Sequence, residues 1–160
     1  MVIYSGFSIG TTKNDQQSVK GNEIDEDFLK TTEIELIARE NITKQDIKDA
    51  SRDSGAYFHY ILNESAVKAF GWTPGEAIGK RMYLMGEQPG EVKGVVKDFN
   101  FASLHNPVAP LVMFPLTRAG SLLIKITGNE LPQTISFRAP LKTLYFSLIL
   151  FSVIFSVIFL

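Results

Sequence analysis

The sequence predicts an α+β fold, a mixed and largely antiparallel sheet with short helices, followed by one C-terminal transmembrane helix. Three observations support this class. Short β-branched or aromatic runs alternate with short helical segments bounded by Gly, Asn or Pro. Residues 92–99 have the composition of a buried strand rather than of a helix. Residues 144–160 carry no charge over seventeen positions, the short limit for a helix that crosses a bilayer.

The N-terminal part predicts two strands and two short helical segments. In chain order these are a strand at 2–9, a polar loop at 11–21, a helical turn at 25–30, a strand at 33–38 and a helix at 44–53. Thr43 is a good N-cap for the last of these, and Asp46 stands in the capping-box position three residues later. Gly55 is expected to end that helix.

The following part predicts a strand-to-helix unit and then the central strand. The elements are a strand at 57–62, a helix at 64–70, a turn-rich loop at 72–79, a strand at 82–85, a turn at 87–90, the strand at 92–99 and a hairpin of strands at 111–116 and 122–127. Asn63 is predicted to cap the helix and Gly71 to stop it. Asn100, Pro107 and Pro110 predict a shaped loop that folds back over the sheet.

Asp98 follows the central strand and is the polar residue of most interest. With Ser103 and His105 it could form a hydrolase-like trio, but all three lie within eight residues and no G-x-S-x-G nucleophile elbow occurs in the chain. We therefore expect Asp98 to accept backbone N–H groups and to fix the loop that follows.

Other chemistries find little support in the sequence. The chain has no cysteine and a net charge of −1, which disfavours thiol chemistry and nucleic-acid binding. Residues 75–80 have three residues between the glycines and an arginine after the lysine, so they do not match a phosphate loop. His59 and His105 lack metal-ligand spacing. The sequence thus predicts no catalytic, cofactor or metal site.

Several ordered motifs resemble the MacB-like periplasmic core domain of FtsX-like permeases in ABC transporters. They lie at 24–31, 34–41, 61–72, 78–80 and 94–111, so the resemblance covers roughly residues 19–137. The residues that carry it are Asn63, Glu64, Gly79, Lys80, Gly94, Asp98, Phe99, Ser103, Leu104, His105 and Pro110. One departure stands out: the family's Gly-Arg after the second strand is Ala38-Arg39 here, so alanine occupies a turn expected to need glycine.

The resemblance implies a non-enzymatic, extracytoplasmic domain of an ABC transporter permease in the bacterial inner membrane. Such a domain passes the motion of an ABC ATPase subunit or domain to a substrate or partner outside the membrane, and a second permease copy is a possible further partner. On this reading residues 1–137 form an N-terminally incomplete core-like domain on the periplasmic side, 138–143 a linker and 144–160 the span that contacts membrane lipid.

Two points stay open at the level of the sequence. The alternative function is a membrane-anchored ligand-sensing or binding module, in which the loop within residues 90–113 covers a pocket on the sheet. The flanking charges also conflict with the expected topology. Arg138 and Lys142 precede the span and nothing basic follows it, which is opposite to the positive-inside pattern. We therefore expect the chain to be a fragment or a shortened frame of a permease.

Overall fold

Seven strands form one mixed sheet in the described part of the chain, residues 4–100 and 107–117 of a computed structural model. The strands are β1 (Tyr4–Gly10), β2 (Gln17–Ile24), β3 (Leu36–Arg39), β4 (Phe58–Asn63), β5 (Arg81–Leu84), β6 (Gln88–Val96) and β7 (Leu111–Pro115). The helices are α1 (Phe28–Thr32), α2 (Lys44–Ala50), α3 (Glu64–Ala69) and α4 (Pro74–Ala77). The described residues belong to one compact unit.

The strand order is β3-β6-β4-β7-β2-β1-β5, and β5 also pairs with β6. This extra pairing closes six strands into a ring. β5 pairs with the first part of β6, at residues 88–91, and β3 pairs with its last part, at residues 94–96. The β2–β7 and β4–β6 pairs are parallel, and the other pairings are antiparallel. The predicted α+β class with a mixed, largely antiparallel sheet and short helices is therefore confirmed.

The main core lies inside this ring of strands. Its fully buried members include Ile9, Tyr60, Leu62, Met82, Leu84 and Val95. Glycines allow strands to approach each other closely at β6. A Cβ at Gly90 would lie 2.1 Å from the Phe58 carbonyl oxygen, and one at Gly94 would lie 2.4 Å from that of Glu40. Neither position accepts a side chain unless the neighbouring backbone moves.

The second half of one predicted loop is part of a strand. Residues 17–21 of the predicted polar loop at 11–21 belong to β2, which pairs antiparallel with β1 and parallel with β7. Its sequence, QSVKGNEI, has little periodicity, because Val19 and Ile24 are its only large apolar side chains. Pairing with two neighbours, rather than intrinsic propensity, makes this segment extended.

β7 also differs from its predicted pairing. It was predicted to form a hairpin with residues 122–127, but both of its edges are occupied, one by β2 and the other by β4. The predicted partner strand at 122–127 lies outside the described residues. The ladder of β7 thus joins two segments that precede it by about 50 and 90 residues in the chain.

The helix boundaries follow the capping residues. Thr43 and Asp46 form the predicted capping box of α2, but the helix ends at Ala50 rather than at residue 53. Asn63 caps α3 by accepting the Ala66 N–H, and Gly71 beyond its end has a φ of 71°. α4 was predicted as a loop. A second capping box, built on Thr73 with Pro74 at its first position, explains why it is helical.

In the turn after β3, the residue with a positive φ is not the one at which glycine was expected. Ala38 stays in the strand, and Arg39 adopts the left-handed conformation with a φ of 60°. A bulge between Leu36 and Ala38 shifts the register against β6. Ala38 is therefore not forced to a positive φ, and the strained position lies one residue later, at Arg39.

No helix within residues 4–100 and 107–117 is both long and apolar enough to cross a bilayer. The transmembrane helix predicted at 144–160 lies outside the described residues.

Candidate functional site

The parallel pairing of β4 and β6 brings two predicted motifs to the same end of the sheet. Asn63, the last residue of β4, pairs with Val96, the last residue of β6. The chain continues from Asn63 into α3 and from Val96 to Asp98. Because parallel strands end at the same edge, Asp98 lies beside the first turn of α3. We call the cluster formed by Asn63, Glu64, Ser65 and Asp98 the Asp98 node.

Asp98 binds the start of α3 through both carboxylate oxygens. Its Oδ1 accepts hydrogen bonds from the Asn63 side-chain amide at 2.7 Å and from the Ser65 backbone N–H at 3.0 Å. Its Oδ2 accepts from the Ser65 hydroxyl at 2.6 Å. In the reverse direction, the Asp98 backbone N–H donates to Glu64 Oε2 at 2.9 Å. Charged acceptors strengthen such bonds relative to neutral ones.

Asn63 is fully buried and connects the node to β7. Its Oδ1 accepts from the backbone N–H groups of Ala66 at 3.0 Å and Leu111 at 2.8 Å. Its Nδ2 donates to Asp98 and, at 3.0 Å, to the Ala109 carbonyl oxygen. All four hydrogen-bonding positions of this amide are thus used. One side chain joins the ends of β4 and β6 to the start of α3 and of β7.

Ser65 adds a second link to the segment before β7. Besides its contact with Asp98, the Ser65 hydroxyl lies 3.2 Å from the Val108 carbonyl oxygen. A hydroxyl carries one hydrogen, so it donates to only one of these acceptors at a time. The shorter contact and the charge of the carboxylate favour donation to Asp98.

The other predicted motif residues are not members of the node or lie outside the described chain. Gly79 and Lys80 form backbone hydrogen bonds with Val92 of β6. The Gly79 N–H donates to the Val92 carbonyl at 2.8 Å, and the Val92 N–H donates to the Lys80 carbonyl at 3.0 Å. Gly94 lies in β6, and the Pro110 carbonyl accepts the Lys20 N–H at 2.8 Å. Phe99 follows Asp98 directly. Ser103, Leu104 and His105 lie outside the described residues.

A second polar cluster was missed from the sequence. Asp46 of α2, 4% exposed, contacts Lys93 Nζ of β6 at 2.6 Å and His59 Nδ1 of β4 at 3.0 Å. His59 Nε2 lies 3.5 Å from a Glu91 oxygen on β6. The sequence signal was the capping box, which identified Asp46 as a helix cap but gave no indication of partners on two strands far away in the chain.

Asp46 is held ionised by these neighbours. Burial raises its pKa, but the hydrogen bonds from Lys93 and Thr43 lower it by more, so the pKa of Asp46 lies below its ordinary value of 3.8. The cluster pins α2 to β4 and β6. Within residues 4–100 and 107–117, no group of three or more His, Asp or Glu side chains is arranged to bind a metal ion.

Neither a family model nor a curated protein matches the sequence. Several solved structures are similar to this chain. The periplasmic region of MacB from Actinobacillus actinomycetemcomitans is similar at a TM-score of 0.59 and 21% identity, over 89% of this chain and 64% of that one. A domain of a predicted permease protein from Porphyromonas gingivalis is similar at a TM-score of 0.51 and 19% identity, over 72% and 44%.

The extracellular domain of the noncanonic ABC-type transporter YknZ from Gram-positive bacteria matches at a TM-score of 0.49 and 18% identity, over 71% of this chain and 50% of that one. The chain therefore spans between 44% and 64% of the length of these structures. At such identities the likeness establishes the fold. The predicted resemblance to the MacB-like periplasmic core domain is confirmed at that level.

Proposed function

We propose that this chain provides the extracytoplasmic domain of an ABC transporter permease, a non-catalytic element that couples the motion of an ATPase to the handling of a substrate or partner outside the membrane. The observation that carries the proposal is the fold shared with the periplasmic region of MacB over 89% of the chain. Ordered motifs in the sequence lead independently to the same family.

The Asp98 node suits a mechanical role. A domain that transmits motion has to move as a rigid body, so the elements at its edges must be fixed to one another. Asn63 and Asp98 fix the ends of two parallel strands, the first turn of α3 and the entry to β7. Most of these bonds are short and involve a carboxylate or a buried amide, which makes the junction stiff.

The polar cluster around Asp46 supports the same interpretation. It fixes α2 to β4 and β6 through a carboxylate that is almost fully buried. Asp98 and Asp46 thus act as structural ties, and their oxygens are engaged by protein donors. The proposed partners are an ABC ATPase subunit or domain that supplies the motion, a second permease copy, and membrane lipid around residues 144–160.

The side of the membrane can be tested by labelling. Because the chain has no cysteine, an Asp53→Cys variant carries a single thiol in an exposed loop. With an upstream membrane helix fused to the chain, a membrane-impermeant maleimide should label this thiol in intact spheroplasts. A second variant, Glu87→Cys, in an exposed turn should behave in the same way. Labelling of both only after lysis would contradict an extracytoplasmic location.

Coupling can be tested in the assembled transporter. The transporter that contains this chain is purified from its native membranes together with its ATPase. Its ATP-driven activity should be lost when Asp98→Ala weakens the node, while the ATPase should still copurify. Asp53→Ala is the matched control, since it removes an exposed carboxylate that is not part of the node. Full coupled activity in the Asp98 variant, or absence of any ATPase in the purified complex, would argue against the proposal.

A further inference from the structure

The chain offers few groups that oxidants attack easily. It contains four methionines and no cysteine, so the thioether is its most readily oxidised side chain. Three methionines lie in the described residues. Met82 and Met113 are 0% exposed, whereas Met85 is 51% exposed.

Met85 lies in the turn that connects β5 and β6. The last pair of this hairpin joins Leu84 and Gln88, so residues 85–87 form the turn. Met85 has a φ of 55° and Gly86 a φ of 73°. A methionine is an unusual residue for a left-handed position, where Gly, Asn or Asp normally occurs. The turn therefore presents a large apolar side chain to solvent at some cost in backbone strain.

The backbone holds this turn without help from the methionine side chain. The Met85 N–H donates to the Ser8 carbonyl at 2.8 Å, and the Glu87 N–H donates to the Leu84 carbonyl at 3.2 Å. Met82, three residues earlier, belongs to the core inside the ring of strands, whereas Met85 does not. A chemical change at the Met85 sulfur thus leaves both the hydrogen bonds and the core packing in place.

We propose that Met85 is a selective and tolerated site of oxidation by hydrogen peroxide or a hypohalous acid. The sulfur lone pair attacks the terminal oxygen of the peroxide, the O–O bond breaks, an S–O bond forms, and water is released after proton transfer. The sulfur loses two electrons and the peroxide gains them. The product is a polar sulfoxide in an exposed turn, which methionine sulfoxide reductases can reduce again.

The same chemistry is disfavoured at Met82 and Met113. An oxidant reaches these sulfurs only when the sheet opens, and the added oxygen would have to fit into a closely packed core. Oxidation in the folded protein should therefore stop at Met85 among these three residues. Oxidation in the unfolded chain should show no such preference, because all three thioethers are then equally accessible.

The sequence supplies an internal control for the test. Trypsin cleaves after Arg81 and Lys93, so Met82 and Met85 lie on one peptide, residues 82–93. The full chain in peroxide-free detergent is treated with hydrogen peroxide for increasing times, digested and sequenced by tandem mass spectrometry. We expect Met85 to oxidise at least about tenfold faster than Met82 in the folded protein and at a similar rate in urea.

Two further measurements test whether the site is tolerated. Protein oxidised at Met85 should keep the unfolding midpoint of the untreated chain within error, and a methionine sulfoxide reductase should restore the thioether. In Met85→Leu, the peptide 82–93 should resist peroxide while the protein is folded. Equal oxidation of Met82 and Met85 in the folded chain would overturn the selectivity, and a large loss of stability on oxidation at Met85 alone would overturn the tolerance.

Discussion

Removal of the Asp98 carboxylate tests the central structural claim. Among the described residues, Asp98→Ala deletes three acceptor contacts, two of them to Ser65 and one to Asn63. The Asn63 amide is fully buried, so its freed hydrogen cannot turn to water. The Ser65 backbone N–H at the start of α3 also loses its partner, and no intrahelical acceptor exists for it.

The expected magnitude follows from these contacts. Hydrogen bonds to a charged acceptor contribute about 1.5–3 kcal/mol each when fully buried, but Asp98 is half-buried and Ser65 has Val108 as an alternative acceptor. We expect Asp98→Ala to lower the free energy of unfolding by about 2–3 kcal/mol. Asp98→Asn should cost about 1 kcal/mol, because its amide oxygen still accepts from Asn63 and the Ser65 backbone.

Chemical unfolding followed by the fluorescence of Trp72, the single tryptophan, measures these differences. The full chain in mild detergent is unfolded in urea, with Asp53→Ala as the control for loss of an exposed carboxylate. A double-mutant cycle with Ser65→Ala isolates the coupling between the two side chains. Losses for Asp98→Ala and Asp53→Ala that agree within error would refute the role of the node.

Three further outcomes are expected. Because the folded-state pKa of Asp46 is lowered, its carboxylate contributes stability above pH 3.8 that is lost as the pH falls through the folded-state pKa. Asp46→Asn should therefore destabilise the chain at pH 7 and much less at pH 2. Urea unfolding at both pH values measures this difference. Gly94→Ala should lower the free energy of unfolding by about 2 kcal/mol or more, because the added Cβ would meet the Glu40 carbonyl oxygen. Gly75→Ala should not destabilise the chain, because no atom lies within 4 Å of the added Cβ. Equal urea midpoints for the two variants would contradict this prediction. The chain should hydrolyse neither ATP nor simple esters in spectrophotometric assays, and turnover that Ser103→Ala abolishes would disprove this prediction.

Local signals in the sequence determined the short-range features. The Thr43 and Asp46 capping box and the Asn63 cap are readable because they join residues within one helical turn, where spacing alone dictates contact. The composition of β4 and β6 likewise indicated buried strands. Asp98 was expected to bind backbone N–H groups of the loop that follows it. Its described partners are instead the Ser65 N–H and the side chains of Asn63 and Ser65 at the start of α3, and most of that loop lies outside the described residues.

Only the tertiary structure decided which strands are neighbours. β2 carries almost no strand signal, and it is extended because β1 and β7 supply hydrogen bonds on both sides. The partners of Asp98 lie 33 to 35 residues away, and Lys93 lies 47 residues from Asp46. Such contacts depend on register and on the parallel pairing of β4 with β6, and register is a property of the assembled sheet rather than of any one segment.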